Sequence, residues 1–119
     1  MTYIAKDPSS FKGKVVGSGH CVPYVQAAAL APPTSSWKEG VKVKGALLTA
    51  GTAIASFQGG KYMNDTTGKS HAAIFVSQDA NGIVVWDQWI GQPVHTRTIR
   101  FQATGATPVN NGNEYSVIE

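Results

Sequence analysis

The chain has 119 residues, of which 42% are hydrophobic and 14% charged, enough for one globular domain over residues 1–119 and too apolar for a disordered segment. Ten Lys and Arg against seven Asp and Glu leave a formal charge of +3, a mild excess with acids spread along the chain, which argues against a dedicated nucleic-acid binder. The single cysteine, Cys21, excludes a disulfide within the chain and a cysteine-rich zinc site.

The first residues hold no apolar run of signal-peptide length, and the most apolar stretch, Val22 to Ala31, is too short to cross a bilayer. The expectation is a soluble protein made in the cytoplasm, without membrane insertion, that relies on other machinery if it works elsewhere. Residues 1–19 read as an irregular lead-in ending in Gly17-Ser18-Gly19. A helix follows, with Ser18 or Gly19 as N-cap, Pro23 in its first turn, Ala27 to Leu30 propagating it, and Pro32-Pro33 as the stop. Trp37 to Lys44 reads as a charged loop, Thr52 to Phe57 as a strand, and Gln58 to Lys69 as a polar loop.

The β signal then strengthens. His71 to Gln78 and Ile83 to Trp89 form a hairpin around Asp79-Ala80-Asn81-Gly82, which fits a type I turn closed by a left-handed glycine. Thr96 to Phe101 is a third strand of this group and Tyr115 to Ile118 a short fourth. One helix with several strands makes an α+β domain.

Cys21 falls where the glycine-bounded loop enters the helix. Unpaired N–H groups and the positive end of the helix dipole favour a thiolate there, and the same groups can hold an oxyanion. The bland alternative is an inert, buried cysteine. A nucleophilic cysteine needs a base and a group to orient it. His20 starts about 100° round the helix from Cys21 and is poorly aimed. His95, near Pro93 in a polar segment, reads as a solvated loop residue. His71 opens the strongest strand, before the small Ala72-Ala73. Asp87 stands against β-propensity between Trp86 and Trp89, and such violations mark function or strain. In an ideal hairpin with Asp79 and Ile83 flanking a three-residue loop, His71 and Asp87 share a face. Asp87 then lies opposite Phe75, roughly 13 Å from His71, so contact requires a bulge or a longer loop.

Two further motifs are set aside. Thr66 to Ser70 echoes the end of a phosphate-binding loop, but Met63 stands where its glycine belongs and a strand follows instead of a helix. His20, His71 and His95 lack metal-site spacing.

Gly19-His20-Cys21-Val22-Pro23-Tyr24-Val25-Gln26 resembles the nucleophile helix of the CHAP and NlpC-type papain-like amidases. Gly51-Thr52-Ala53-Ile54-Ala55-Ser56-Phe57 resembles their glycine-led core strand, and His71-Ala72-Ala73-Ile74-Phe75-Val76 their histidine strand. Trp86-Asp87-Gln88-Trp89 stands where CHAP domains carry an acid-Gln-Asn signature. The sequence departs from the pattern at Thr52, where Asp is frequent, at Trp89, where Asn is expected, and at His20, which replaces Gln or Asp. The chain is also similar to small type VI secretion amidase effectors of the third family.

This resemblance implies a papain-like fold with the nucleophile helix packed on an antiparallel sheet. It implies Cys21 as nucleophile, His71 as general base and acid, and Asp87 as orienter, with no cofactor. Ser18 and His20 are candidate oxyanion donors, and Tyr62 and Trp89 candidate groove residues. The implied substrate is a peptidoglycan stem peptide or cross-link, reached by type VI delivery into a target bacterium's periplasm, and the implied partners are the secretion apparatus and a cognate immunity protein. The alternative function is a non-catalytic wall-binding or interaction module with an inert Cys21.

Overall fold

Six short strands, rich in β-branched and small apolar residues, pair into one antiparallel sheet. They are β1 Glu39–Lys42, β2 Ala53–Ser56, β3 Ala72–Gln78, β4 Gly82–Trp89, β5 Gln92–Arg100 and β6 Tyr115–Ile118, and their order across the sheet is β1-β6-β2-β3-β4-β5. The structure, a computed structural model, describes residues 2–102 and 105–119. Met1, the first residue of the expected lead-in, lies outside them.

The C-terminal strand threads between β1 and β2, so the last residues of the chain are interior to the sheet. β1 corrects the expected loop over Trp37 to Lys44. Its residues are charged and half exposed, an edge strand that carries no apolar alternation to read. β5 begins earlier than expected, at Gln92, and takes in Pro93 and His95.

The β3–β4 turn also differs from the expectation. Gln78 pairs with Ile83, and Asp79 Oδ1 accepts from the N–H groups of Asn81 and Gly82. Gly82 is not left-handed; it is the first residue of β4. Glycine is needed there for space, because a Cβ would lie 2.9 Å from the Arg100 Cα of the neighbouring strand. Val76 then stands unpaired between the Ser77–Val84 and Phe75–Val85 pairs, a β-bulge.

The one α-helix among the described residues, α1 Cys21–Ala29, has nine residues. Helices this short are marginal alone, so packing must hold it. Its buried face of Tyr24, Val25 and Ala29 meets Ala53, Ala55, Ala72 and Ile74 of the sheet. Those alanines let the helix axis come close. Tyr24 also fastens the lead-in, packing edge-on against Phe11 and donating its hydroxyl to Pro8 O at 3.1 Å. The opposite sheet face carries a second core of Val43, Ile54, Ala73, Phe75, Ile83, Val85, Ile99 and Tyr115. The strands that carry His71 and Asp87 are thus clamped from both sides.

Candidate active site

The loop before α1 brings Cys21 to the helix mouth. Gly17 is left-handed at φ 57°, and a Cβ on it would lie 2.8 Å from the Pro23 ring, so only glycine lets the loop fold onto the first turn. The N-cap is His20, with extended backbone and no side-chain cap bond, in place of the expected Ser18 or Gly19. Cys21 is therefore the first helical residue. The missing N–H of Pro23 costs nothing, because the first-turn N–H groups have no partner within the helix.

The β3–β4 turn and the Val76 bulge together decide where His71 meets Asp87. The turn, which pairs Gln78 in place of Asp79 with Ile83, and the bulge each move Asp87 one position along the ladder from its ideal place, so that Val85, not Asp87, faces Phe75. A two-residue shift preserves the face and removes the distance. His71 Nε2 lies 2.7 Å from Asp87 Oδ2, both side chains buried. The same imidazole also acts on the Cys21 thiol, which lines one cavity with His71 and lies 3.6 Å from the Tyr62 hydroxyl.

Burial pushes the Cys21 thiol up. The His71 hydrogen bond and charge, the Tyr62 hydroxyl and a backbone bond from Ala72 outweigh it, and the thiol titrates below its ordinary 9.0. Burial opposes charging of His71. The hydrogen bonds to Asp87 and Cys21 and the charges of both prevail, raising it from 6.5 to about 9. Asp87 is pushed up by burial but drawn below its ordinary 3.8 by His71 and then by Arg97. Both shifts favour the thiolate–imidazolium form of the pair over the neutral one.

Asp87 is more heavily held than the sequence suggests. Its Oδ2 also accepts from Arg97 Nε at 2.7 Å. His95, expected as a solvated loop residue, instead pairs across from Asp87 on β5, with Nε2 3.0 Å from Oδ1 but out of line for a hydrogen bond. Trp89 roofs this group. Its ring lies 5.0 Å from the His95 ring, 6.4 Å from that of His71, and 5.1 Å from the Arg97 guanidinium.

The remaining expected residues divide. Tyr62 touches the thiol from the Gln58–Lys69 loop and stacks against Trp37. Trp89 and His20 line the cavity over Cys21 and His71. Ser18 is exposed, and its hydroxyl accepts from His20 N at 3.4 Å beside a second cavity that also reaches Cys21.

Sequence reasoning missed Gln88, Ser56, His95 and Arg97. Buried Gln88 holds the loop that leads into Cys21: its Nε2 donates to Val16 O and His20 O, each at 2.8 Å, and its Oε1 accepts from Val16 N at 2.9 Å. Ser56 Oγ accepts from His71 N and donates to Lys69 O, each at 3.0 Å, fixing the start of β3. A buried glutamine beside a candidate acid was the readable signal for Gln88. Among the described residues no three His, Cys, Asp or Glu side chains are grouped to hold a metal ion. Nor is any described helix long and apolar enough to cross a membrane.

A family model described as Domesticated amidase effector 2 matches residues 1–118. The chain belongs to that family. Within it, the chain is 35% identical over 118 residues to the Type VI secretion amidase effector 2 protein of Salmonella typhi, covering 87% of this chain and 88% of the relative. It is 37% identical over 121 residues to Domesticated amidase effector 2 of Ixodes scapularis, covering 93% and 81%. The solved structure of Type 6 secretion amidase effector 2 (Tae2) matches at a TM-score of 0.86 and 31% identity, over 98% of this chain and 94% of that one. The chain is thus an amidase of papain-like α+β fold. Its relatives carry the number two among the effectors, where the sequence motifs pointed to the third family. Membership in an amidase family sets the inert binding-module alternative aside.

Proposed function

We propose that the chain is a cysteine amidase, one papain-like domain over residues 1–119, that hydrolyses an amide bond in a peptidoglycan stem peptide or cross-link. The observation that carries this reading is the His71 imidazole bound to the Asp87 carboxylate at 2.7 Å and lining one cavity with the Cys21 thiol, whose titration it lowers. The Cys21 thiolate attacks the amide carbonyl. The Cys21 N–H at the head of α1 and the Tyr62 hydroxyl receive the oxyanion. Burial and the neighbouring Cys21 charge keep Tyr62 well above the usual phenol range, so it remains a neutral donor. Gln88 is no candidate for that role, since its Nε2 is spent on two backbone carbonyls.

Imidazolium His71 protonates the leaving amine as the C–N bond breaks, leaving a thioester and a neutral imidazole. His71 then takes a proton from the attacking water, the C–S bond breaks, and the acid product leaves with the thiolate–imidazolium pair restored. Asp87 keeps the ring oriented throughout.

The relatives named as type VI secretion amidase effectors support delivery by that apparatus into a target bacterium's periplasm, with an immunity protein guarding the producer. The +3 charge suits residence on an anionic wall. The test is muropeptide analysis after digestion of purified peptidoglycan by wild type and Cys21→Ala. Cleavage products are expected with wild type and absent with the variant; identical profiles contradict the reading.

A further inference from the structure

Two cavities, of about 300 and 350 Å³, meet at Cys21. Both are lined by His20, Cys21, Asp65 and Thr66, so they form one groove with the thiol at its waist. A peptide lying in it would place residues on both sides of the amide that is cut. Asp65 is the one carboxylate among the described residues of either arm, whereas His71 and Arg97 contribute basic groups to the first.

Asp65 is firmly held. Its N–H donates to Ser70 Oγ at 2.7 Å, and the Ser70 hydroxyl shares its proton between Asp65 O at 3.0 Å and Oδ1 at 3.1 Å. Ser70 is buried and directly precedes His71, so the Asp65 carboxylate is fixed relative to the base. Slight desolvation pushes Asp65 up, but the Thr67 and Ser70 hydrogen bonds and the charge of Lys69 more than offset it, which favours the ionised carboxylate. Arg97 is occupied by Asp87, and among the described residues no Lys, Arg or His nitrogen stands within ion-pair distance of Asp65.

A hydrogen-bonded carboxylate with no ion-pair contact, set where both arms of a reaction groove meet, is suited to receive a cation. We propose that Asp65 determines substrate specificity by binding a primary ammonium group that the substrate carries beside the scissile amide. The favoured substrates are then peptides with a free amine next to the cut, and peptides with that amine capped are disfavoured. Sites built to pair a polar group discriminate strongly against analogues that lack it. The inference rests on the peptidoglycan amidase reading and narrows it.

The test uses peptidoglycan sacculi purified from a Gram-negative bacterium, either untreated or with all free primary amines acetylated, and reads the initial rate of soluble product release. Wild type is expected to favour the untreated wall by about tenfold, the size of effect one charged hydrogen bond produces. Asp65→Asn, which keeps an acceptor for Thr67 and Ser70, is expected to bring the ratio near one, and Asp65→Glu to retain part of it. Equal rates in wild type, or a wild-type ratio in Asp65→Asn, overturn the inference and leave the amidase reading standing. Release from neither wall overturns both. Should Asp65→Asn not fold, the wild-type ratio decides alone.

Discussion

Asp87 Oδ2 receives His71 Nε2 and Arg97 Nε on one oxygen atom, each at 2.7 Å. The Arg97 guanidinium therefore shares the charge that would otherwise stabilise imidazolium His71 alone. It also lines the same cavity as Cys21, where a positive charge favours ionisation of the thiol. Among the described residues, His71, His95 and Arg97 lie within ion-pair distance of Asp87, and its charge also acts on the buried Tyr24 and Tyr115 phenols.

Removing Arg97 has a signed consequence. In Arg97→Gln the imidazolium gains a less encumbered carboxylate and the thiolate loses a nearby cation, so both groups titrate higher. The two limbs of the pH profile of kcat/KM are expected to move to higher pH together, with a loss of about tenfold at neutral pH from the looser carboxylate. A profile identical to that of wild type would deny Arg97 this role.

Asp87→Asn acts on the same group from the other side. It leaves His71 without its charged anchor, and kcat is expected to fall by roughly 10²–10⁴-fold. It also strands the Arg97 charge, at a cost of about 3 kcal/mol at neutral pH. Asp87 titrates lower in the fold than its ordinary 3.8. Its contribution to stability is thus present above that pH and is lost as pH falls through the lower folded value. Urea unfolding between pH 5 and pH 2 should show a steeper acid loss in wild type than in Asp87→Asn.

Gln88→Ala removes three hydrogen bonds from Val16 and His20 and leaves those backbone groups without their partner. A stability loss of about 3 kcal/mol is expected, from the usual cost of unmade buried bonds. Because the loop carries the nucleophile, kcat should fall by about tenfold at a temperature where the variant is still folded. Denaturant unfolding with kinetics on the same preparation separates the two effects.

Leu30 offers a control remote from this chemistry. It ends α1 in the left-handed region at φ 56°, with its side chain exposed. An L-residue with a Cβ is strained there, so Leu30→Gly is expected to stabilise the fold by about 1 kcal/mol. Thermal unfolding should show a higher Tm with kcat/KM unchanged.

What the sequence made legible follows from which signals are local. The helix at Cys21 was readable because glycines, a proline and alanines act within one or two turns. The β3–β4 hairpin was readable because its residues are β-branched and its turn residues conventional. β1 was not, since Glu39–Lys42 is stabilised by pairing with β6 at the far end of the chain and not by its own pattern. The contact between His71 and Asp87 hung on a turn one residue longer than the ideal one and on one unpaired residue, Val76, that no local rule announces. His95 was misread for a similar reason. A second irregularity between Asp87 and Trp89 sets His95, in place of Val94, across from Asp87.

The central claim is that His71 holds Cys21 as a thiolate. The most direct measurement is the rate of Cys21 alkylation by iodoacetamide as a function of pH, in wild type and in His71→Ala. Wild type is expected to inflect below pH 9.0, and His71→Ala to inflect higher, because burial then acts on the thiol without the imidazole to oppose it. The same inflection in both proteins would contradict the account.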